Sequence, residues 1–426
     1  MEAGFNFSEY AQACVKCAKC IPACTIHTVS RDETTSPRGF IHLMASAQEG
    51  SIELDKNLKK IFETCFLCSN CTTVCPSAIP TDLLIENARA QSVKKYGLAW
   101  FKRAVFFILK RRSLQNLAAK LGFVFKSCGF AKTQNGMRAR FSMPMMRRGR
   151  LLPLIAEKSF LDAYPERMNF GGDKTAAIFI GCMANYAYTG VGDSLLYILK
   201  ALKINAFIPK DQLCCGAPSY FTGDTKSTKW LIKYNIEYFE LFIDSVEAIL
   251  VPEATCSNMI IRDWLHIMQD EPEWIDRVKR VVDKTFIASQ WLYKNADLPR
   301  LLPNLGSKIA SVTYHDPCHA RKTLGVFKEP RAILARSYEL REMSAPSQCC
   351  GFGGVTIQSE RFELAEAVGK LKADMIAETD AEIVSAECSA CRMQISHALN
   401  REGAKQAFMH PLELIAQALK EYKTDA

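Results

Sequence analysis

The chain lacks most of what would mark an exported, membrane-spanning or nucleotide-binding protein. Its opening, MEAGFNFSEYAQAC, has no basic patch followed by an apolar core, so export is not expected. No uninterrupted apolar run reaches 18 residues, so no bilayer-crossing helix is expected. No glycine-rich dinucleotide fingerprint is present. GFGG at 351–354 follows two cysteines and lacks the preceding strand, the final glycine spacing and the acidic partner of such a site. Hydride chemistry therefore belongs to another polypeptide. Acidic residues are missing from one long stretch: Lys94 to Arg150 holds fifteen Lys or Arg and no Asp or Glu. Against the net charge of +9, the remainder of the chain carries −6.

What the chain has in excess is cysteine, 18 in 426 residues. In a reducing compartment that number points to metal or redox chemistry rather than to a disulfide framework. CVKCAKCIPAC supplies Cys14, Cys17, Cys20 and Cys24, and CFLCSNCTTVCP supplies Cys65, Cys68, Cys71 and Cys75. Both follow C-x2-C-x2-C-x3-C, in which three thiolates wrap one cubane and the fourth serves the other. One [4Fe–4S] cluster is therefore assigned to Cys14, Cys17, Cys20 and Cys75, and a second to Cys65, Cys68, Cys71 and Cys24. Zinc also accepts four cysteines, but two complete runs favour cubanes. Thr25 stands where proline would follow the first run. GFIHLMASAQEG and DKNLKKIFETC, between the runs, read as helices, so residues 1–92 predict a helical two-cluster ferredoxin domain.

Residues 93–170 form a basic amphipathic region, in which GLAWFKRAVFFILKRRSLQNLAAKLGFVFK interleaves aromatic and aliphatic residues with Lys and Arg. Such a segment reads as a membrane-surface element attracted to anionic lipid. The competing readings are a docking face for an acidic partner and a core helix with snorkelling cations. No recognition module accompanies the charge, so nucleic acid is not an expected partner. Cys128 stands alone and reads as a buried, inert thiol.

The remaining sequence repeats. AAIFIGC ending at Cys182 parallels ASVTYHDPC ending at Cys318, and CCG at 214–216 parallels CCG at 349–351. ILVPEATC ending at Cys256 is set against IVSAEC ending at Cys388, an offset of 132 where the other landmarks give 136 and 135. Residues 171–305 and 306–426 are thus two homologous units in which strands alternate with helices and cysteines fall at strand ends. The predicted fold class is α+β multidomain: a helical ferredoxin followed by two α/β units.

Cys349 and Cys350 are adjacent. A trans peptide holds their Cα atoms about 3.8 Å apart, short of the usual disulfide range of about 4.4–6.8 Å. With Cys318, Cys388 and Cys391 they make five thiolates, more than a tetrahedral zinc or a single cubane uses. Gly351, Gly353 and Gly354 would let the backbone approach a cluster. His315 and His319 flank Cys318 and are read either as donors or proton relays beside a cluster, or as capping and surface residues. The first unit keeps Cys182, Cys214, Cys215 and Cys256, with Met259 at the fifth position, a degenerate site for an iron–sulfur cluster or zinc.

The pattern C-x30-CCG-x36-C-x2-C resembles the cysteine-rich CCG domain of heterodisulfide reductase and related iron–sulfur subunits. A helical ferredoxin followed by two such units is similar to the glycolate oxidase iron–sulfur subunit family, to which the iron–sulfur subunit of anaerobic glycerol-3-phosphate dehydrogenase is related. The stretch at Asp32, Glu33, Pro37, Arg38 and Gly39 adds to that likeness. The resemblance implies two [4Fe–4S] clusters, a further cluster of the non-cubane type at the second CCG site, and electron transfer from an FAD-containing dehydrogenase subunit to a membrane quinone or membrane-bound acceptor. The 2-hydroxy acid would be glycolate first, D-lactate second. The chain would sit on the inner face of the cytoplasmic membrane. The alternatives it implies are a heterodisulfide-reductase-like thiol–disulfide reductase subunit and the iron–sulfur subunit of an anaerobic glycerol-3-phosphate dehydrogenase.

Overall fold

In the computed structural model, residues 6–133, 136–143, 146–302 and 308–424 are described. Four helices shape the N-terminal part: Phe7–Ala13, Pro37–Gln48, Lys56–Phe62 and Thr81–Tyr96. Their starts are dictated locally. Ser36 accepts a hydrogen bond from Gly39 N at 3.0 Å, with Pro37 at the first helical position, and Asp55 accepts from Leu58 N at 2.7 Å. Phe7, Phe40, Met44, Phe62, Leu84 and Ile85 close the core between these helices. The cysteine loops turn through left-handed backbone at Lys16, Ala18, Leu67 and Ser69, winding the chain tightly.

The basic region folds as helices Trp100–Leu109 and Arg112–Val124, then an antiparallel sheet of β1 (Phe130–Thr133), β2 (Gly136–Ala139) and β3 (Leu151–Leu152). Part of its charge faces inward. Lys102 is buried against Glu360 at 2.5 Å, and Arg150 is buried over the Phe362 ring. Its outer face leaves Trp100, Phe107, Leu117, Leu121, Val124 and Phe125 exposed.

Two sheets follow. The first contains β4 (Arg167–Met168), β5 (Thr175–Ile178), β6 (Asn205–Phe207), β7 (Ala248–Val251) and β8 (Thr285–Ile287), in the order β4-β6-β5-β7-β8 with only β4 antiparallel. The second contains β9 (Ser311–Tyr314), β10 (Glu339–Leu340), β11 (Ile383–Ser385) and β12 (Ala407–Met409), all parallel, in the order β10-β9-β11-β12. Without β4 the two topologies are the same, and so is the register. Ala176 pairs with Ala248 as Val312 pairs with Ile383. In each sheet the order reverses about its first strand, the crevice where ligands of open α/β sheets sit.

The two α/β units are joined through a common core. Ile178, Leu195 and Ala288 of the first pack in one cluster with Val312, Leu412 and Ile415 of the second, and helix Gly190–Ala201 lies against Pro411–Thr424. The ferredoxin part seats on both units. Arg89, fully buried, donates to the carbonyls of Phe62, Cys65 and Phe221, while Arg262 reaches Asp82 at 2.8 Å.

Candidate functional site

Three cavities collect the cysteines. Cys14, Cys17, Cys20 and Cys75 line one of about 30 Å³, with Cys71 at its wall. Cys24, Cys65, Cys68 and Cys71 line a second of about 20 Å³. In each, the last cysteine of one run joins the first three of the other, because helices Cys20–Ala23 and Asn70–Val74 pack side by side. Burial pushes the Cys24 thiol up to about 11 and Cys65 up to about 12, so both are costly to ionise until a cationic centre takes their charge.

The third cavity, about 270 Å³ and mostly apolar, opens between the two α/β units and the ferredoxin part. All nine cysteines of the two repeats face it: Cys182, Cys214, Cys215 and Cys256 from one side, Cys318, Cys349, Cys350, Cys388 and Cys391 from the other. Cys68 lines it too, and therefore stands in both this chamber and the second ferredoxin cavity. Cys215 and Cys256 sulfurs are 3.4 Å apart, and Cys350 and Cys391 sulfurs 3.3 Å. Gly216 and Gly351 hold φ at +97° and +90° to turn each paired cysteine inward. A Cβ on Gly351 would lie 3.0 Å from Ala365 O and Gly369 N. Gly351 N also donates to Cys349 Sγ at 3.5 Å.

The repeat register corrects the expectation at the first site. Cys256 answers to Cys391, not Cys388: each touches the second cysteine of its CCG, and the offset becomes 135, the same as for the CCG pairs and for β7 against β11. Met259 then corresponds to Gln394. It lies buried beneath the CCG turn, near Gly216, outside the chamber lining. The residue opposite Cys388 is Glu253, which does line the chamber. Sequence alone misses this because CSNM matches CSAC by composition, whereas the strand register slides the match by three residues.

On this chamber's second side His315 is buried and His319 half-buried. His315 Nδ1 donates to Pro346 O at 3.1 Å, leaving Nε2 without a partner and grouped with the sulfurs of Cys350 and Cys391 within 4.8 Å. His319 lines the chamber, shares a hydrogen bond between Nδ1 and Thr255 Oγ1 at 3.2 Å, and stacks on Phe221. Burial holds it down at about 4, hence neutral. Cys128, expected to be buried, is instead exposed, on the surface of the basic region, and lines none of the three cavities.

Two lysines that motif reading passed over face the second set. Lys322, one helical turn after Cys318, donates to Cys318 Sγ at 3.4 Å and to Cys68 O at 3.0 Å. Burial opposes its charge, but the sulfurs of Cys318, Cys68 and Cys349 hold it above its ordinary value. Lys372 is fully buried and donates to Ala345 O at 2.9 Å, and burial draws it down to about 8 against the pull of Cys350 and Cys318. Only the spacing of Lys322, four residues after Cys318, was readable beforehand. Two cations thus lie beside the second set, while in the first, hydrogen bonds among the sulfurs together with burial leave all four thiols raised. Soft sulfur donors converging in a largely apolar chamber suit iron–sulfur centres.

Comparison with known proteins agrees with this arrangement. The sequence profile described as "Cysteine-rich domain" matches residues 176–261 and 312–396, and that described as "4Fe-4S dicluster domain" matches 10–79. The chain is 27% identical to the "Probable glycolate oxidase iron-sulfur subunit" of Bacillus subtilis over 95% of this chain and 93% of that one. It is 31% identical to "Lactate utilization protein A" of the same organism, over 56% of this chain and 98% of that one. The chain belongs to the glycolate oxidase iron–sulfur subunit family. The profile matches fall on the parts that the structure separates, a dicluster ferredoxin and two cysteine-rich units. An uncharacterized iron–sulfur protein of Methanococcus maripaludis is 29% identical over 92% of this chain and 68% of its own.

Proposed function

We propose that this chain takes electrons from an FAD-containing subunit that oxidises a 2-hydroxy acid, glycolate before D-lactate, and hands them toward a membrane quinone. Iron–sulfur clusters, when bound, supply one-electron transfer at tuned potentials. Cys14, Cys17, Cys20 and Cys75 would hold one [4Fe–4S] cluster, and Cys65, Cys68, Cys71 and Cys24 the next. Cys318, Cys349, Cys350, Cys388 and Cys391 would hold a further cluster of the non-cubane type. The set around Cys182, Cys214, Cys215 and Cys256 would hold an iron–sulfur centre in preference to zinc.

The observation that carries this reading is the placement of Cys68 in the walls of two cavities, beside Cys349 and Cys318. It joins the ferredoxin thiols to those of the chamber without intervening protein. At the other end Cys17 is exposed beside Val15, giving the line of thiols an edge at the surface for a redox partner. Phe66, Phe221 and Phe352 give the chamber apolar walls, while Lys322 places a positive charge at the junction. The exposed aromatic and basic face of helices Trp100–Leu109 and Arg112–Val124 would rest on the lipid surface. Among the described residues no helix is long and apolar enough to cross a membrane.

Anaerobic co-purification tests the reading. An FAD subunit with dye-linked glycolate oxidation, and roughly twelve to sixteen irons on this chain, are expected. Disulfide reduction by the isolated chain would instead favour a heterodisulfide-reductase-like role for the thiol-lined chamber.

A further inference from the structure

The first repeat has one thiolate fewer than the second, and the structure places another donor where that thiolate would be. Position by position in the shared register, Cys256 stands for Cys391, Thr255 for Ala390, Ala254 for Ser389 and Glu253 for Cys388. Glu253 is not a copy of the acid that precedes Cys388, because Glu387 answers to Pro252. Its side chain is 5% exposed and lines the chamber with Cys182 and Cys256. A Cβ built on Gly181 would meet Cys256 Sγ at 3.2 Å and Glu253 Cγ at 3.7 Å, so carboxylate stem and thiol lie against the same turn of backbone.

We infer that Glu253 supplies a carboxylate oxygen ligand to the metal centre of the first cysteine-rich unit, at the position Cys388 fills in the second. The inference rests on the reading that the first set holds an iron–sulfur centre, and deepens it. Counting Glu253, the first unit offers five donors, as the second does, and five exceed what a tetrahedral zinc uses.

The known contacts of Glu253 leave room for this. Ser389 donates to it twice, from N at 2.7 Å and from Oγ, using one acceptor position on each oxygen. An ionised carboxylate has about four such positions. The Ser389 bonds aim the carboxylate and fix its rotamer, the service that partners beyond the ligands commonly perform for metal-bound carboxylates. Its direct donors are neutral and burial outweighs the pull of the more distant Arg392, so a cationic centre between it and the four thiols offsets a real cost. The first centre would therefore carry mixed sulfur and oxygen ligation and the second sulfur alone, which makes two repeats of one fold electronically different.

The test is 57Fe Mössbauer and EPR spectroscopy with metal counts on the full chain, anaerobically purified. Variants are Glu253→Ala, Glu253→Cys, Ser389→Ala and the double change Cys214→Ser with Cys215→Ser. The wild type is expected to show one iron subsite with an oxygen-type isomer shift. It should become sulfur-type in Glu253→Cys, disappear or lose its iron in Glu253→Ala, and persist in Ser389→Ala, which removes the hydroxyl contact but leaves the ligand. Spectra of both Glu253 variants superimposed on the wild type, in a chain whose double variant does lose iron, overturn the ligand assignment alone. A double variant that loses no iron, or loses zinc instead, overturns the iron–sulfur reading of the first site and the Glu253 assignment with it.

Discussion

Lys322 and Gly351 show how single residues set the chamber's character. Lys322 bonds a thiol of one set and the backbone of another, so its removal should change electron transfer without emptying the site. Lys322→Met is expected to lower dye-linked activity of the complex about 10–100-fold, the usual size of a change just beyond the ligands, with iron content unchanged and Lys322→Arg recovering part of the loss. Activity assay with parallel iron determination checks it. Gly351 combines a left-handed φ with atoms 3.0 Å from any added Cβ, whereas Gly354 has φ +74° and open space around it. Gly354→Ala should cost about 1–2 kcal/mol from backbone strain alone, and Gly351→Ala several kcal/mol more from the added clash. Thermal melts of the two variants should separate accordingly.

At the level of elements, the docking of the α/β units depends on a neutral histidine. Leu412 N donates to His410 Nδ1 at 3.1 Å, so the proton sits on Nε2, which donates to Pro252 O at 2.9 Å across the units. Burial draws His410 down to about 4, against about 6.5 for an unfolded histidine. Its contribution to stability is complete above pH ~6.5 and is lost as the pH falls toward 4. Between pH 7.5 and 5.5 this amounts to about 1 kcal/mol. His397, also held at about 4 by burial, accepts from Leu151 N at 3.1 Å and adds a drop in the same window. His410→Asn should be less stable at pH 7.5 and show a smaller loss on acidification, read from urea midpoints at the two pH values. The strands themselves were legible: AAIFIGC and ASVTYHDPC place β5 and β9 correctly. The helix–helix packing that joins the units was not, because it unites residues more than 200 positions apart.

Across the whole molecule, charge is divided between an inner and an outer use. Lys102 and Arg150 bind the basic region to the second unit, while the exposed apolar side chains beside Arg103 and Arg111 face outward. If that face rests on lipid, the chain should sediment with vesicles of anionic phospholipid at about 50 mM salt and be released near 500 mM. Phe107→Asp with Val124→Asp should weaken binding about tenfold or more at low salt. Binding to neutral vesicles as strong as to anionic ones would point away from this orientation.

By itself the sequence determined the two ferredoxin runs, the duplication, the strand-end cysteines and the basic stretch. These are legible because a cysteine loop and a strand–turn–helix unit are specified within a few residues, by spacing and periodicity. The tertiary structure decided the rest: that both repeats open into one chamber, that Cys68 stands in its wall beside Cys349, that Lys322 and Lys372 lie beside one set, and that Glu253 rather than Met259 faces the chamber beside the other. Each of these depends on which strands pair and in what register. Hydrogen bonding across a sheet settles that register, and a slip of three residues in a gapped repeat leaves the local pattern of the chain almost unchanged.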